Sequence, residues 1–383
     1  MRFDSSIYWH TKKVIPWHIQ VDEYREYGRA LEALGFTTAW VAEHHLWHDG
    51  YFSTATNPIM TGLDIALHTK TLKVGQSPTS ICDWHPIRVA EDVATLDHMT
   101  LGRAEFGIGR GFNTRWGAQM NPEADRRDNE KNYALFTETL DIIIKAWTEE
   151  AFSHKGRFYT LPIPGWMETD PGVPLTPPHY TPEGELVKIS VLPKPYQKPH
   201  PPITQMVTSN RSWEVAGVRG LFGMGSARSL DGIRDGFEAY KRGTERAGKG
   251  LALGEKTSIQ FMTFCARTME EAIETARPGI NDLYGNIEAH MGRVRQGLLG
   301  PNETLDNDDL NCDWFDFLSK HDVIMVGTPE HISERLDRMN REINFQHFQI
   351  FPSIPFIGFE QYMKSIELFG TEVVPRFPDE NGK

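Results

Sequence analysis

The sequence predicts an α/β fold, a (β/α)8 TIM barrel with long loop insertions over the C-terminal mouth of its strands. Three observations carry that reading. Short apolar runs alternate with helical periodicity along the whole chain. About eight such strand–helix units occur, which favours a closed barrel over an open doubly wound sheet. Two long segments interrupt the rhythm without forming domains of their own.

Ile7 to Trp9 ends a first strand. Gln20 to Leu34 reads as a helix, with Val21, Tyr24, Tyr27, Leu31 and Leu34 near one face and Gly35 just past its end. Thr38 to Ala42 is a second strand, Ile59 to His68 a helix and Leu72 to Gly75 a third strand. Pro86 suits the first helical turn, with Val89, Val93 and Leu96 following at helical spacing. Ala104 to Gly107 is a fourth strand and Asn129 to Trp147 a long helix. Later units are strand Ile203 to Val207, a helix from Ser212, strand Leu221 to Met224, helix Ser229 to Arg246 and strand Ser258 to Phe264. Glu330 to Met339 is helical behind Thr328-Pro329, Phe348 to Phe351 a strand, and Glu360 to Phe369 a last helix.

The interruptions are 156–202, where frequent proline excludes helix, and 281–321, polar and rich in Gly and Asp. Both read as excursions over the barrel mouth within one domain spanning 1–383, the second as a candidate lid. A formal charge of −12 argues against a nucleic-acid partner. No apolar run is long enough to span a membrane. Three scattered cysteines and an N-terminus without a signal-peptide pattern fit a cytoplasmic protein.

Three stretches carry candidate chemistry. Glu43-His44-His45 follows the second strand, where barrel enzymes place site residues. Neighbours on an extended chain point to opposite faces, so one metal ion cannot easily take both histidines, and no metal site is expected. Packing, solvation and a catalytic base all remain open for them. The second stretch is GIGRGF, Gly107 to Phe112. No helix follows at once, as a dinucleotide fingerprint requires. Its glycines admit a flat ligand, however, and Arg110 adds a fixed cation for a phosphate. The alternative is a tight turn with a surface arginine. The third is TSNRSWEVA, where Ser209 and Ser212 open a helix after a strand. That is an anion site or a plain N-cap. Arg110 together with this helix start implies one phosphate, hence a mononucleotide. Trp9, Trp17, Trp84 and Trp116 suggest an aromatic pocket.

These stretches resemble a known family. HPIRVAEDVATLDHMTLGRAEFGIGRGF (His85 to Phe112), WVAEHH, the spacing from VGQSP to HPIR, and VGTPEHISERLDRM followed by IELFGTEVVP are similar to bacterial luciferase-like, flavin-dependent monooxygenases, and to the luciferase α subunit in particular. The similarity runs from Arg2 to about Arg376. It implies a barrel that binds reduced FMN, supplied by a separate NAD(P)H flavin reductase, and uses O2 to oxygenate a small apolar substrate such as an aldehyde, ketone or terpenoid. His44 would be the catalytic residue, as base or hydrogen-bond partner to the flavin peroxide. Glu43 beside it would orient or tune the ring. Gly109, Arg110, Gly111, Ser209, Ser212 and Tyr133 would hold the cofactor, with Arg110 and the serines on its phosphate. Ser77-Pro78 falls where the family has a cis peptide, and is expected to be cis against the isoalloxazine ring. Gly109 replaces a reactive cysteine of luciferase α, so light emission does not follow. A homodimer is the expected assembly. The other readings are a deazaflavin-dependent hydride-transfer oxidoreductase and a non-catalytic luciferase β-like subunit.

Overall fold

The computed structural model describes residues 1–8, 14–46, 55–111, 114–288 and 294–378. Trp9, Trp47, Phe112 and Asn113 lie outside the described residues. Eight parallel strands make the central sheet: β1 Arg2–Ile7, β2 Thr38–Val41, β3 Lys73–Gln76, β4 Ala104–Gly109, β5 Ile203–Val207, β6 Phe222–Ser226, β7 Thr257–Cys265 and β8 His347–Phe351. The strand order runs β7, β8, β1, β2, β3, β4, β5, β6, and β6 pairs back onto β7. The fold is a (β/α)8 barrel.

Helices follow the strands in turn: α1 Trp17–Ala33, α2 Pro58–Leu67, α3 Pro86–Met99, α4 Asn129–Thr148, α5 Asn210–Arg219, α6 Leu230–Arg246, α7 Met269–Asp282, α8 Pro329–Ile343 and α9 Phe359–Glu372. Local chemistry sets their starts. Pro86 and Pro329 occupy first-turn positions, where a missing N–H costs nothing. Asn57, Asp128, Ser229 and Thr328 accept a first-turn N–H at α2, α4, α6 and α8. Gly35 takes the left-handed conformation just past α1, with φ +81°.

The chain divides into two compact units, Met1–Ser77 with Ile203–Lys383, and Pro78–Pro202. In the first unit β1 closes onto β8 in register, Arg2 opposite His347 and Phe3 opposite Phe348. An aromatic cluster covers that seam. The Phe3 ring lies 6.1 Å from Phe348, 5.7 Å from Phe369 on α9 and 6.5 Å from Phe36. Each such ring pair contributes about 0.5–1.5 kcal/mol beyond its buried area.

The segment expected to be a lid is partly helical. α7 continues as a π-helical turn, Leu283–Glu288, and short helices span Asn307–Asn311 and Trp314–Lys320. Arg277 bridges Asp313 and Asp316 at 2.7 and 2.6 Å, and Asp309 takes Lys320 at 2.8 Å and His321 at 2.9 Å. Helices of five and seven residues carry too little periodicity to show in a sequence.

In the second unit, the proline-rich excursion is tied down by one carboxylate. Glu138 on α4 accepts the backbone N–H of Arg157, Phe158 and Tyr159 and faces His154 at 3.1 Å. Burial works to raise its pKa, but these donors hold it below the ordinary value. Lys194 donates to the carbonyls of Ala146 and Glu149, closing the C-terminal end of α4.

Candidate active site

In the first unit the inward face of the strands is polar and layered. Deepest lies Asp4, fully buried, which accepts from Arg2 at 3.1 Å and Trp40 at 2.9 Å and faces His347 at 2.8 Å. Burial alone would raise its pKa. Arg2 and then His347 reverse that and hold it below the ordinary carboxylate range. The Trp40 ring passes over β3 where Gly75 stands, and a Cβ there would meet it at 2.5 Å.

Above this layer Ser6 accepts from Gln349 at 2.9 Å and from Gln260 at 3.3 Å. Gln260 also donates to Ser77 at 2.8 Å. The Ser77 hydroxyl points its proton at the sulfurs of Met224 and Met206, 3.7 and 3.9 Å away. Uppermost, where β1, β2 and β8 end, Tyr8 stacks on Phe351 at 5.2 Å and meets the His44 ring edge-on at 5.8 Å.

His44 and His45 part as strand alternation requires. Glu43 and His45, two residues apart, share a face and pair at 2.7 Å, with Glu43 2% exposed. Glu43 therefore partners His45, which corrects the expectation that it orients His44.

Ser209 and Ser212 form a reciprocal capping box at the start of α5. The Ser212 N–H donates to the Ser209 hydroxyl, and the Ser209 N–H donates to the Ser212 hydroxyl at 3.0 Å. Trp213 locks this helix start in place. Its ring lies on Gly223 and Gly225 of β6 and Gly236 of α6, where any Cβ would come within 2.7 Å of it. Beside the capping box opens a cavity of about 280 Å³, lined among others by Thr208, Ser209, Asn210, Ser226 and Arg228. That is just under the roughly 300–1,000 Å³ of whole small-molecule sites, and suits the polar end of a ligand.

The second unit carries its own cationic arrangement, at the end of β4. Arg110 donates to Asn129 at 2.9 Å and lies over the Tyr133 ring at 4.9 Å, Asn129 and Tyr133 lying about one turn apart at the start of α4. Tyr133 is thus a platform for the guanidinium. Arg126, which the sequence did not mark, donates to the Gly111 carbonyl at 2.8 Å. Burial, and then the charge of Arg110, depress its pKa. The carboxylate of Asp83 acts on Arg126 in the opposite sense. Gly111 has φ +91° and lies against Asp83, so a side chain there would be strained.

Other candidates sit differently. The cis peptides among the described residues are Leu161-Pro162, Pro177-Pro178, Leu192-Pro193 and Lys198-Pro199, so Ser77-Pro78 is trans, against expectation. The Ser77 N–H continues the strand ladder, donating to Val41 at 2.8 Å. Thr79–Ser80 then pairs with Ile108 and Gly109. An extended path through the proline suits the ordinary trans isomer. Trp116 is buried, whereas Trp17 is 48% exposed. Among the described residues no group of three or more His, Cys, Asp and Glu is placed to hold a metal ion.

A family model described as luciferase-like monooxygenase matches residues 1–347. The chain belongs to the luciferase-like monooxygenase family. Among curated relatives of this luciferase-like chain is the oxygenase component of a flavin-dependent trigonelline monooxygenase from Acinetobacter baylyi, 24% identical, with 99% of this chain and 96% of the relative covered. The oxygenating constituent of 3,6-diketocamphane monooxygenase from Pseudomonas putida, a type II Baeyer-Villiger enzyme solved with FMN, superposes with a TM-score of 0.77 at 18% identity over 99% of both chains. An F420-dependent secondary alcohol dehydrogenase superposes with a TM-score of 0.66 at 16% identity, covering 99% of both. These two solved structures share the fold of the luciferase-like chain.

Proposed function

We propose that this luciferase-like protein is the oxygenase component of a two-component system, taking reduced FMN from a separate NAD(P)H flavin reductase and placing one atom of O2 into a small apolar carbonyl or terpenoid-like substrate. The observation that carries this reading is the Ser209–Ser212 capping box with its adjoining cavity, a ready receiver for a phosphate group. In the second unit, Arg110 on its Tyr133 platform, with Arg126, is a set of donors of the kind that suits a phosphate. Gly109 and Gly111, also in the second unit, keep the backbone bare for a flat ring.

Reduced flavin, when bound, supplies the electrons that activate O2. The chain's own work is to position, to move protons and to keep water out. His44, with its ring set by Tyr8, exchanges a proton with the reacting oxygen or the substrate. Tyr8 and Phe351 give the mouth an apolar wall. The segment 281–321 covers it during turnover. The family resemblance brings with it the expectation of a homodimer in the cytoplasm.

The test is an anaerobic titration with photoreduced FMN, riboflavin and a reduced deazaflavin, followed by turnover of apolar carbonyl compounds under ¹⁸O2. FMN should bind more tightly than riboflavin, and product should gain one labelled oxygen. Preference for the deazaflavin with oxygen-independent product would overturn the proposal in favour of hydride transfer. Flavin binding with no product from any substrate would favour the non-catalytic subunit.

A further inference from the structure

Gln260 stands in the middle of the polar layer, half-buried on the inward face of β7. Its amide orientation is decided by its neighbours. The Gln260 amide nitrogen faces the Ser77 hydroxyl at 2.8 Å, and that hydroxyl has the sulfurs of Met206 and Met224 within reach of its own proton. Ser6 already accepts from Gln349 and offers Gln260 a second acceptor. Both amide protons of Gln260 are thereby engaged, one by each serine. Its carbonyl oxygen takes no donor among the described residues. Ser6 is fully buried and Ser77 is 8% exposed, so the anchors are rigid.

A fixed carbonyl acceptor in a barrel mouth asks its ligand for a donor. Oxidised and reduced flavins differ in just this respect. The ring nitrogen N5 is an acceptor when oxidised and carries a proton when reduced. From this we infer that Gln260 is a redox-state selector: its carbonyl accepts from the N5–H of reduced flavin and repels the N5 lone pair of oxidised flavin. The inference rests on the proposed flavin site and assigns a task to a residue outside the phosphate and proton-transfer groups. Gln260 binds the cofactor, while Ser6 and Ser77 act through it as positioning residues. The selection suits a two-component enzyme, which must take up reduced flavin and let oxidised flavin go.

The experiment measures dissociation constants for oxidised and photoreduced FMN under argon, on the full chain. Wild type should prefer the reduced form. Gln260→Leu, apolar and without an acceptor, should cut that preference about fivefold, the weight of one neutral hydrogen bond. Ser77→Ala should cut it less. A probe needing no substitution is 5-deaza-FMN, whose position 5 is carbon and offers no N–H in either state. Wild type should bind its two redox forms nearly equally. An unchanged preference in Gln260→Leu, or an undiminished preference with 5-deaza-FMN, overturns the assignment. Failure of wild type to bind either form of FMN overturns the flavin reading itself, a separate result.

Discussion

At the scale of single residues, the site divides into groups that touch a ligand and groups that hold them. In the proposed function His44 is of the first kind. His44→Ala should leave FMN affinity nearly intact and lower product yield by at least about a hundredfold, the usual weight of a positioned proton-transfer group. Turnover at the wild-type rate would remove His44 from the mechanism. Glu43 is the second kind. Its carboxylate is almost fully buried against His45, so Glu43→Gln weakens a pair shielded from water. A loss of about 1–3 kcal/mol in urea unfolding is expected, with flavin affinity little changed. Strand alternation separated His44 from His45, but the sequence reading set Glu43 beside His44, and the structure pairs it with His45. Arg126 and Gln260 were not legible. An arginine beside Arg127 in a polar turn looks like solvated surface, and a lone glutamine in the run SIQFMTF gives no hint of its serine anchors.

At the scale of elements, the proposed function makes α5 the part on which cofactor binding turns. Ser212→Ala removes one half of the capping box and should cost about 1 kcal/mol of stability. It should also weaken FMN more than riboflavin, since only FMN carries a phosphate. Equal weakening of both, read by fluorescence titration, would place the phosphate elsewhere. The seat of that helix is equally exacting. Gly243→Ala on α6 drives a Cβ to 2.1 Å from the Glu214 carbonyl of α5, and backbone cannot yield as a side-chain tip would. It should destabilise the protein by about 1–3 kcal/mol. The barrel's strands and most of its main helices were readable from periodicity, Ile203–Val207 with its bounds unchanged and Asn210–Arg219 starting two residues earlier than expected, whereas α7, Met269–Asp282, was not read. What stayed hidden was short or irregular: the helices within 281–321, and an excursion held by Glu138 across residues 154 to 159.

For the whole molecule, the buried Asp4 network governs behaviour in acid. Its folded pKa is depressed, so its contribution is fully present above the unfolded value near about 3.9 and fades only as pH falls through the lower folded value. Asp4→Asn should lower stability at neutral pH, by about 1–3 kcal/mol for the buried hydrogen bonds it disturbs. It should also flatten the acid limb of a stability–pH curve. A parallel, undiminished acid limb in urea unfolding from pH 7 to 2 would assign acid sensitivity to other carboxylates.

The pairing of Arg2 with His347 also sets a timetable. A ribosome adds about 5–20 residues each second, so β1 leaves the exit tunnel on the order of twenty seconds or more before its partner strand exists. During that wait its edge, its Asp4 and the Phe3 face that will meet Phe348 are without their final companions. The nascent chain therefore needs shelter of a kind the finished enzyme does not, and its yield in a cell should depend on chaperone supply and translation speed more than its measured stability would suggest.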